Sequence, residues 1–520
     1  MIRILYTGSV SACFERVNDS PYYASAPYTV YLDGVERLIA GTNVFSLFDL
    51  TPNTTYTLTV SDVEAPLFFT TAGETFALNV RNFGAAGDGV HDDTAAIQSA
   101  LDFLPSGGRL ILPAGTYLTL PLRLKSHITV ELKKGATLLG SPNRTKYPIL
   151  PGEATDPVTG ESRVFGTFEG LIQPMYQALL SAQNVENIQV VGEGVIDGNA
   201  QNSDFWTDFH TFPAARPRLV SLLHCENITF HGVTAQNSPS WNYHPFHCRR
   251  VAFYDIAVLA PKMSPNTDAM DPEACDGVDI VGCRFSVGDD CIAIKSGKME
   301  LAQRFDWPAL RHTVRNCLME HGHGAVTLGS ESAMGIRELT VSQCCFHETD
   351  RGLRIKTRRG RGEKCDITNI AFENIRMDGV LTPVVINMWY NCCDPDRYSE
   401  YVWSRQKLPV DERTPHLGAF VFRDMVCTGA QAAACYIDGL PERPIDSVTF
   451  ENVSVEFDPD AKPGVPAMQN FAEKRCKLGL YFENVEKVRL DNVHVFGAEG
   501  DEIIARSCGD VERRQPCTSR

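Results

Sequence analysis

No uninterrupted apolar run of the ~20 residues that a membrane-spanning helix requires occurs in the sequence, so no helical membrane span is expected. Basic residues are also in short supply. The 48 Lys and Arg stand against 64 Asp and Glu, a formal net charge of -16. That balance argues against nucleic acid or an anionic membrane as partner, since both need basic surface. Cys-x-x-Cys spacing is missing, so no thiolate metal centre is indicated, and neither a metal nor a cofactor is expected. The 17 cysteines are odd in number and scattered. Cys344-Cys345 and Cys392-Cys393 are adjacent pairs, which rarely bridge each other. Cys275, Cys283 and Cys291 lie in apolar strand text, where a thiol is a small hydrophobe. Free buried thiols in a reducing compartment are expected rather than a disulfide framework. Finally, no helical periodicity separates the short strands, which excludes a doubly wound α/β fold.

The N-terminus carries Val10-Ser11-Ala12-Cys13, which has the form of a lipoprotein cleavage box. The apolar stretch before it is broken by Tyr6, Thr7, Gly8 and Ser9 and falls short of the ~7–15 residues of a signal-peptide core. The expectation is a first strand with Cys13 buried, in a cytoplasmic protein, or a periplasmic or secreted one if a leader has been removed.

What is present is strand text. In residues 1–74, Tyr28–Leu32 alternates, Asp33-Gly34 makes a hairpin turn, and Asn43–Phe48 alternates again. A Leu50-Thr-Pro-Asn loop then runs into a strand ending at Val60, with Tyr56 inside it. This segment resembles the fibronectin type III pattern, in which such a tyrosine closes the corner of a small β-sandwich. Residues 1–74 are expected to be that module, and residues 75–520 a second domain. The second domain opens with a glycine-rich turn and a helix whose apolar side is Ala96, Ile97, Ala100 and Leu101, with Asp92 or Asp93 as its N-cap. Asp88, Asp92 and Asp93 could suggest calcium; turn and capping roles account for them. The stretch Asn79–Tyr117 resembles the opening of pectin-degrading right-handed β-helix proteins, where the helix caps the first coil.

From there one template recurs: a polar residue, then apolar, usually polar, apolar. It appears at Asn187–Val190, Asn227–Phe230, Arg250–Phe253, Gly277–Ile280, Glu338–Val341, Asn369–Phe372, Ser447–Phe450 and Lys487–Leu490, with its shorter intervals 23, 27 and 31 residues. Such periods signal solenoids; propeller blades need ~40–45 residues. The expected fold is all-β, a right-handed parallel β-helix following the small N-terminal sandwich. Residues 393–418, with Trp403, Lys407 and Arg413, fit no coil and read as an excursion, and residues past about 505 as a loose tail.

Four polar clusters interrupt the template at repeat spacing. Asn266-Thr267-Asp268 and Gly288-Asp289-Asp290 bring three carboxylates roughly one coil apart, where neighbouring strands are ~5 Å from each other. Gly322-His323-Gly324 and Arg354-Ile355-Lys356 each begin about one repeat further on. Crowded carboxylates cannot all stay ionised, so one of them can hold a proton and act as an acid. Taken singly, Asp289-Asp290 would be a solvated turn pair, His323 a turn residue with His321 as its rival, and Arg354 and Lys356 solvated strand charges. Together they turn one face of the stack into a site. The basic run Arg354, Lys356, Arg358, Arg359, Arg361 and Lys364 is a local exception to the acidic chain. Arg358, Arg359 and Arg361 read equally well as carboxylate grips and as a basic loop.

In this order and spacing the clusters resemble the polygalacturonase family of glycoside hydrolases. The context Asn237–Pro245 and Gly288–Gly297 agrees; Ala269-Met270 and Gly324–Gly329 depart from the usual text without removing a reacting group. The resemblance implies hydrolysis of α-1,4 bonds in galacturonan with inversion. Asp289 would be the general acid, Asp268 and Asp290 would hold and activate water, and His323 would orient the acid or substrate. Arg354, Lys356, Tyr390, Asn266 and Lys295 would bind substrate. Trp389 alternates with Tyr390, so one of the two is expected in the core. The N-terminal module and the loops at 199–220 and 393–418 are similar to those of exo-acting members. A galacturonate polymer or oligomer is the implied partner. Alternatives on the same fold are a rhamnogalacturonan hydrolase, a calcium-dependent pectate lyase, and a non-catalytic polysaccharide-binding β-helix.

Overall fold

The computed structural model describes residues 1–155, 157–160, 162–209, 213–391 and 399–514. The leading polar residue of the template has a local cause. Asn187 (φ 57°), Asn227 (56°), Arg250 (51°), Gly277 (76°), Glu338 (61°) and Asn369 (57°) are all left-handed, a conformation that Asn and Gly enter most readily. Each bends the chain into the next strand. The Asn227 side-chain amide donates to Asn187 Oδ1 one coil below. The apolar residue that follows points inward, and Ile188, Ile228, Val251 and Val278 pair in register on successive parallel strands. Stacking these coils builds a 24-stranded sheet, with a four-stranded and a seven-stranded sheet along another face. The two smaller sheets join through single bridges, Tyr243 to Met270 and Met270 to Ile292. One continuous apolar core runs from Leu78 to Val493, and the chain forms a right-handed parallel β-helix.

The first coil is capped by a helix, Thr94–Phe103, that buries Ile97, Ala100 and Leu101. The expected side-chain cap from Asp93 is not made. Its carboxylate instead accepts from the backbone N–H groups of Ala86 and Gly87, tying down the glycine turn, while Asp92 accepts from Thr94 N–H. At the other end the loose tail expected beyond 505 is corrected: Asp510–Arg514 pairs with Lys487–Asp491 as a last rung. Residues 515–520 and Cys392–Tyr398, the start of the expected excursion, lie outside the described residues.

Residues 2–70 form two antiparallel sheets of three and four strands around a core of Phe14, Val30, Phe45, Leu58 and Phe69. Asp33 (φ 50°) and Gly34 (φ 78°) make the hairpin turn, and Tyr56 Oη accepts from Thr51 N–H across the corner (2.9 Å). This sandwich is bonded to the solenoid through buried polar groups. Glu15 pairs with Arg315 (2.6 Å), Asn43 donates to Asn316 (2.9 Å), and Phe48 stacks on His231.

An element the repeat reading did not separate lies between coils. Three short hairpin pairings, Ile149–Leu150 with Met175–Tyr176, Glu153–Thr155 with Ser162–Val164, and Thr167–Phe168 with Leu171–Ile172, fold over the outer face of the smaller sheets. Val164 packs there against Leu223, Phe246, Ala274 and Leu301.

Candidate active site

Register places the carboxylates. Ala269 N–H donates to the Asp290 carbonyl (3.0 Å) and Cys291 N–H to the Gly324 carbonyl (2.8 Å), so Asp268, Asp290 and Gly324 occupy one column on three successive coils. Asp289 precedes Asp290, and His323 N–H donates to its carbonyl (3.1 Å). Carboxylate oxygens of Asp268, Asp289 and Asp290 lie within 4.8 Å of one another. Both glycines around His323 are required by close approach: a Cβ on Gly322, at φ 92°, would lie 2.7 Å from the Asp289 carbonyl, and one on Gly324 2.9 Å from Asp290 Oδ1.

The three carboxylates are held differently. Asp290 is fully buried, and burial alone would raise its pKa; Lys356 and Arg354 outweigh that and hold it well below the usual carboxylate range. Arg354 Nη1 reaches its Oδ1 at 3.0 Å and Lys356 Nζ its Oδ2 at 2.8 Å. Asp268, also buried, is pushed well up, first by burial and then by Asp289 and Asp271. Asp289 is the member open to the groove, with its side chain 21 % exposed and Oδ1 3.2 Å from His323 Nδ1. That hydrogen bond raises the His323 pKa. His321 turns away to Glu348 (3.4 Å). The cluster could by geometry take a cation, but both Asp290 oxygens already accept from Arg354 and Lys356, which supply the compensating charge.

Other expected site residues sit differently. Asn266, half-exposed, accepts at Oδ1 from Arg216 Nη2 (2.5 Å). Lys295 is corrected from groove to floor. It is 4 % exposed, between Asp271 (3.4 Å) and Glu331 (3.2 Å) and 4.6 Å over the Trp241 ring. Tyr390 lies beside Lys356 Nζ, 5.6 Å from its ring centre, and of the alternating pair it is Trp389 that joins the apolar core, although Tyr390 is buried as well. Trp389 donates to Asp438 (2.8 Å), and Tyr390 is covered by a bridge to Gln469. Arg358, Arg359 and Arg361 are buried too and grip no open groove.

A sequence model described as glycosyl hydrolases family 28 matches residues 166–476, well over half the chain. The chain belongs to family 28 of the glycosyl hydrolases. A second model, described as rhamnogalacturonase A/epimerase, pectate lyase-like, matches residues 77–210 of this family 28 chain. It is 29 % identical over 395 residues to a probable polygalacturonase of Vitis vinifera, covering 73 % of this chain and 74 % of that one. To the exo-poly-alpha-D-galacturonosidase of Dickeya chrysanthemi it is 27 % identical over 404 residues, 68 % of this chain and 63 % of the other. The fold of the family 28 exopolygalacturonase of Yersinia enterocolitica superposes with a TM-score of 0.69 over 98 % of both chains at 20 % identity.

Around the carboxylates this hydrolase carries a buried polar floor that reading motifs one at a time misses. Asp271 and Glu273, two residues apart and so on one face of the strand, follow Asp268, and Glu273 bridges to Lys295 in the next coil. Pairing each coil with the next at the Met270-to-Ile292 offset would have found them. His244 Nε2 lies 2.9 Å from Glu273 Oε2. Asp271 is fully buried, and burial pushes its carboxyl up to about 8 against the pull of Lys295 and Arg218. An unfolded Asp titrates near ~4, so between about pH 4 and 8 the folded chain holds a proton that the unfolded one releases. This contribution to stability is complete below about pH 4 and lost as the pH rises through about 8. Asp271→Asn, which stays neutral, should flatten the fall of the melting temperature over that window; an unchanged slope would mean that Asp271 is ionised in the native state.

Proposed function

We propose that the protein hydrolyses α-1,4-galacturonosidic bonds of pectin-derived galacturonate from one chain end, with inversion. The observation that carries this is the convergence of Asp268, Asp289 and Asp290 within 4.8 Å, with Arg354 and Lys356 on Asp290. Asp289 protonates the glycosidic oxygen as its bond to the anomeric carbon breaks. Asp268 and Asp290 hold the water between them, and Asp290, the ionised member, accepts its proton as oxygen bonds to carbon. His323 fixes the acid's orientation. Arg354 and Lys356 supply the positive charge that a uronate carboxylate needs in a chain of net charge -16. Oxygens this close are nearer than the ~6.5–9.5 Å between the carboxyl groups of most inverting sites, so the stereochemical outcome is a direct test.

End-wise action is supported by a wall one coil from Asp268. Thr167 and Phe168, from the inserted hairpins, close on Arg218 and Trp241. The Arg218 guanidinium lies 3.8 Å over Trp241 and 5.0 Å over Phe168, and donates to the Thr167 carbonyl (3.1 Å). Thr167 Oγ1 reaches Glu273 (3.1 Å). In this reading these contacts stop the groove on the N-terminal side of the carboxylates.

Proton NMR of a defined oligogalacturonide during digestion tests both points. One product size released from one end, appearing first as the β-anomer and without unsaturated ends, is the expected result. A spread of sizes would remove the end-wise mode, an initial α-anomer would remove inversion, and chelator-sensitive unsaturated ends would replace hydrolysis by elimination.

A further inference from the structure

One enclosed space lies away from the reacting carboxylates. It is a cavity of about 340 Å³ between the outer face of the first four coils and the inserted hairpins. Its floor is a single outward column. Arg123 pairs with Ser181, Ser181 with Ser221, and Ser221 with His244, one residue per coil, so polar groups succeed one another at the ~4.8 Å strand spacing. Its roof is largely apolar, with Val164, Phe165 and Met175 from the hairpins. Thr167 and Arg218 separate it from the catalytic side, where they meet Glu273 and Trp241.

The electrostatics are unusual for this chain. Among the described residues the lining holds Arg123 and Arg218 and not one carboxylate, although the protein as a whole is strongly acidic. Arg218 is buried, and its Nε has no hydrogen-bond partner. A buried guanidinium N–H left unsatisfied is costly unless something accepts from it. A volume at the lower end of the range for small-molecule sites, an apolar roof, hydroxyls at regular spacing and cations at both ends suit a compact polyol that bears a carboxylate. We propose that this cavity binds a single sugar acid, separately from the reacting carboxylates. That the sugar acid is a uronate, the class the enzyme releases, rests on the activity proposed above; the preference for an anionic polyol does not.

Calorimetric titration of the whole protein with D-galacturonic acid at low salt, with uncharged D-galactose as control, tests the proposal. Wild type should take up two galacturonates and Ser221→Trp, which fills the cavity from its floor, only one. Hydrolysis of polygalacturonate by this variant should stay within about twofold of wild type. Arg123→Ala, at the exposed mouth, should weaken the second uptake by about tenfold, the scale of one lost charge-assisted contact, and decides the matter if the tryptophan variant does not fold. Unchanged stoichiometry and affinity in both variants, or equal binding of galactose, overturns the proposal. Should wild type cleave no polygalacturonate, the proposed activity fails, and the titration still reads the cavity.

Discussion

Asp289→Asn should lower kcat on polygalacturonate by about 10⁴-fold, the upper range for loss of a positioned general acid, with little change in KM or melting temperature. The substitution keeps size and shape. Asp289 Oδ1 accepts from Asp290 N–H at 2.9 Å, and an asparagine oxygen can do the same, so the turn that presents Asp290 survives. What disappears is the proton for the leaving oxygen. The opposite half of the site should be untouched, since Asp290 stays paired with Arg354 and Lys356. A second readout separates a chemical role from a structural one. The His323 pKa is raised first by its hydrogen bond to Asp289, so its titration, followed by imidazole NMR, should move down in the variant. Activity within tenfold of wild type would remove Asp289 as the acid. A His323 titration that does not move would mean that the 3.2 Å contact is not populated in solution.

The coils were legible in the sequence because their causes are local. A left-handed polar residue or glycine followed by in–out alternation marks six of the eight repeats of the template, and Asn187, Asn227 and Asn369 do this in plain text. The reacting carboxylates were legible for the same reason, being short strings at coil spacing. The floor was not: Asp271, Glu273 and Glu331 each read as an ordinary surface charge, and only stacking shows that they surround Lys295. Alternation sorted one pair but not its surroundings. It set Tyr390 against Trp389, and Trp389 is the one in the apolar core, but nothing in it told that the Gln469 bridge would bury Tyr390 too. The wall at Thr167–Phe168 had no signature, because hairpins of two-residue strands carry no period and are positioned by what they land on. The same physics hid the fate of Arg358, Arg359 and Arg361.

Arg359→Met should be the most destabilising of these changes, by about 3–5 kcal/mol, the range for removing one partner of a buried ion pair. The Arg359 and Glu442 side chains are 0 % and 1 % exposed. The guanidinium bonds both Glu442 oxygens (2.5 and 2.8 Å) and also donates to the carbonyls of Tyr401, Ser404 and Gln406. Its loss leaves a buried carboxylate and three backbone acceptors without their donor. Those carbonyls anchor the stretch that carries Arg405 over Trp389 (4.0 Å) and onto Asp438 (2.8 Å). Amide exchange in residues 399–414 should therefore quicken before the rest of the solenoid opens. Arg359→Lys keeps the charge without the fork and should fall between the two. The double variant Arg359→Met with Glu442→Leu should recover most of the loss, since removing both charges is far cheaper than stranding one. The reacting carboxylates stand on earlier coils, so kcat in the surviving folded protein should stay near wild type. If the double variant is no more stable than the single one, the cost lies in the lost carbonyl contacts and not in the stranded charge.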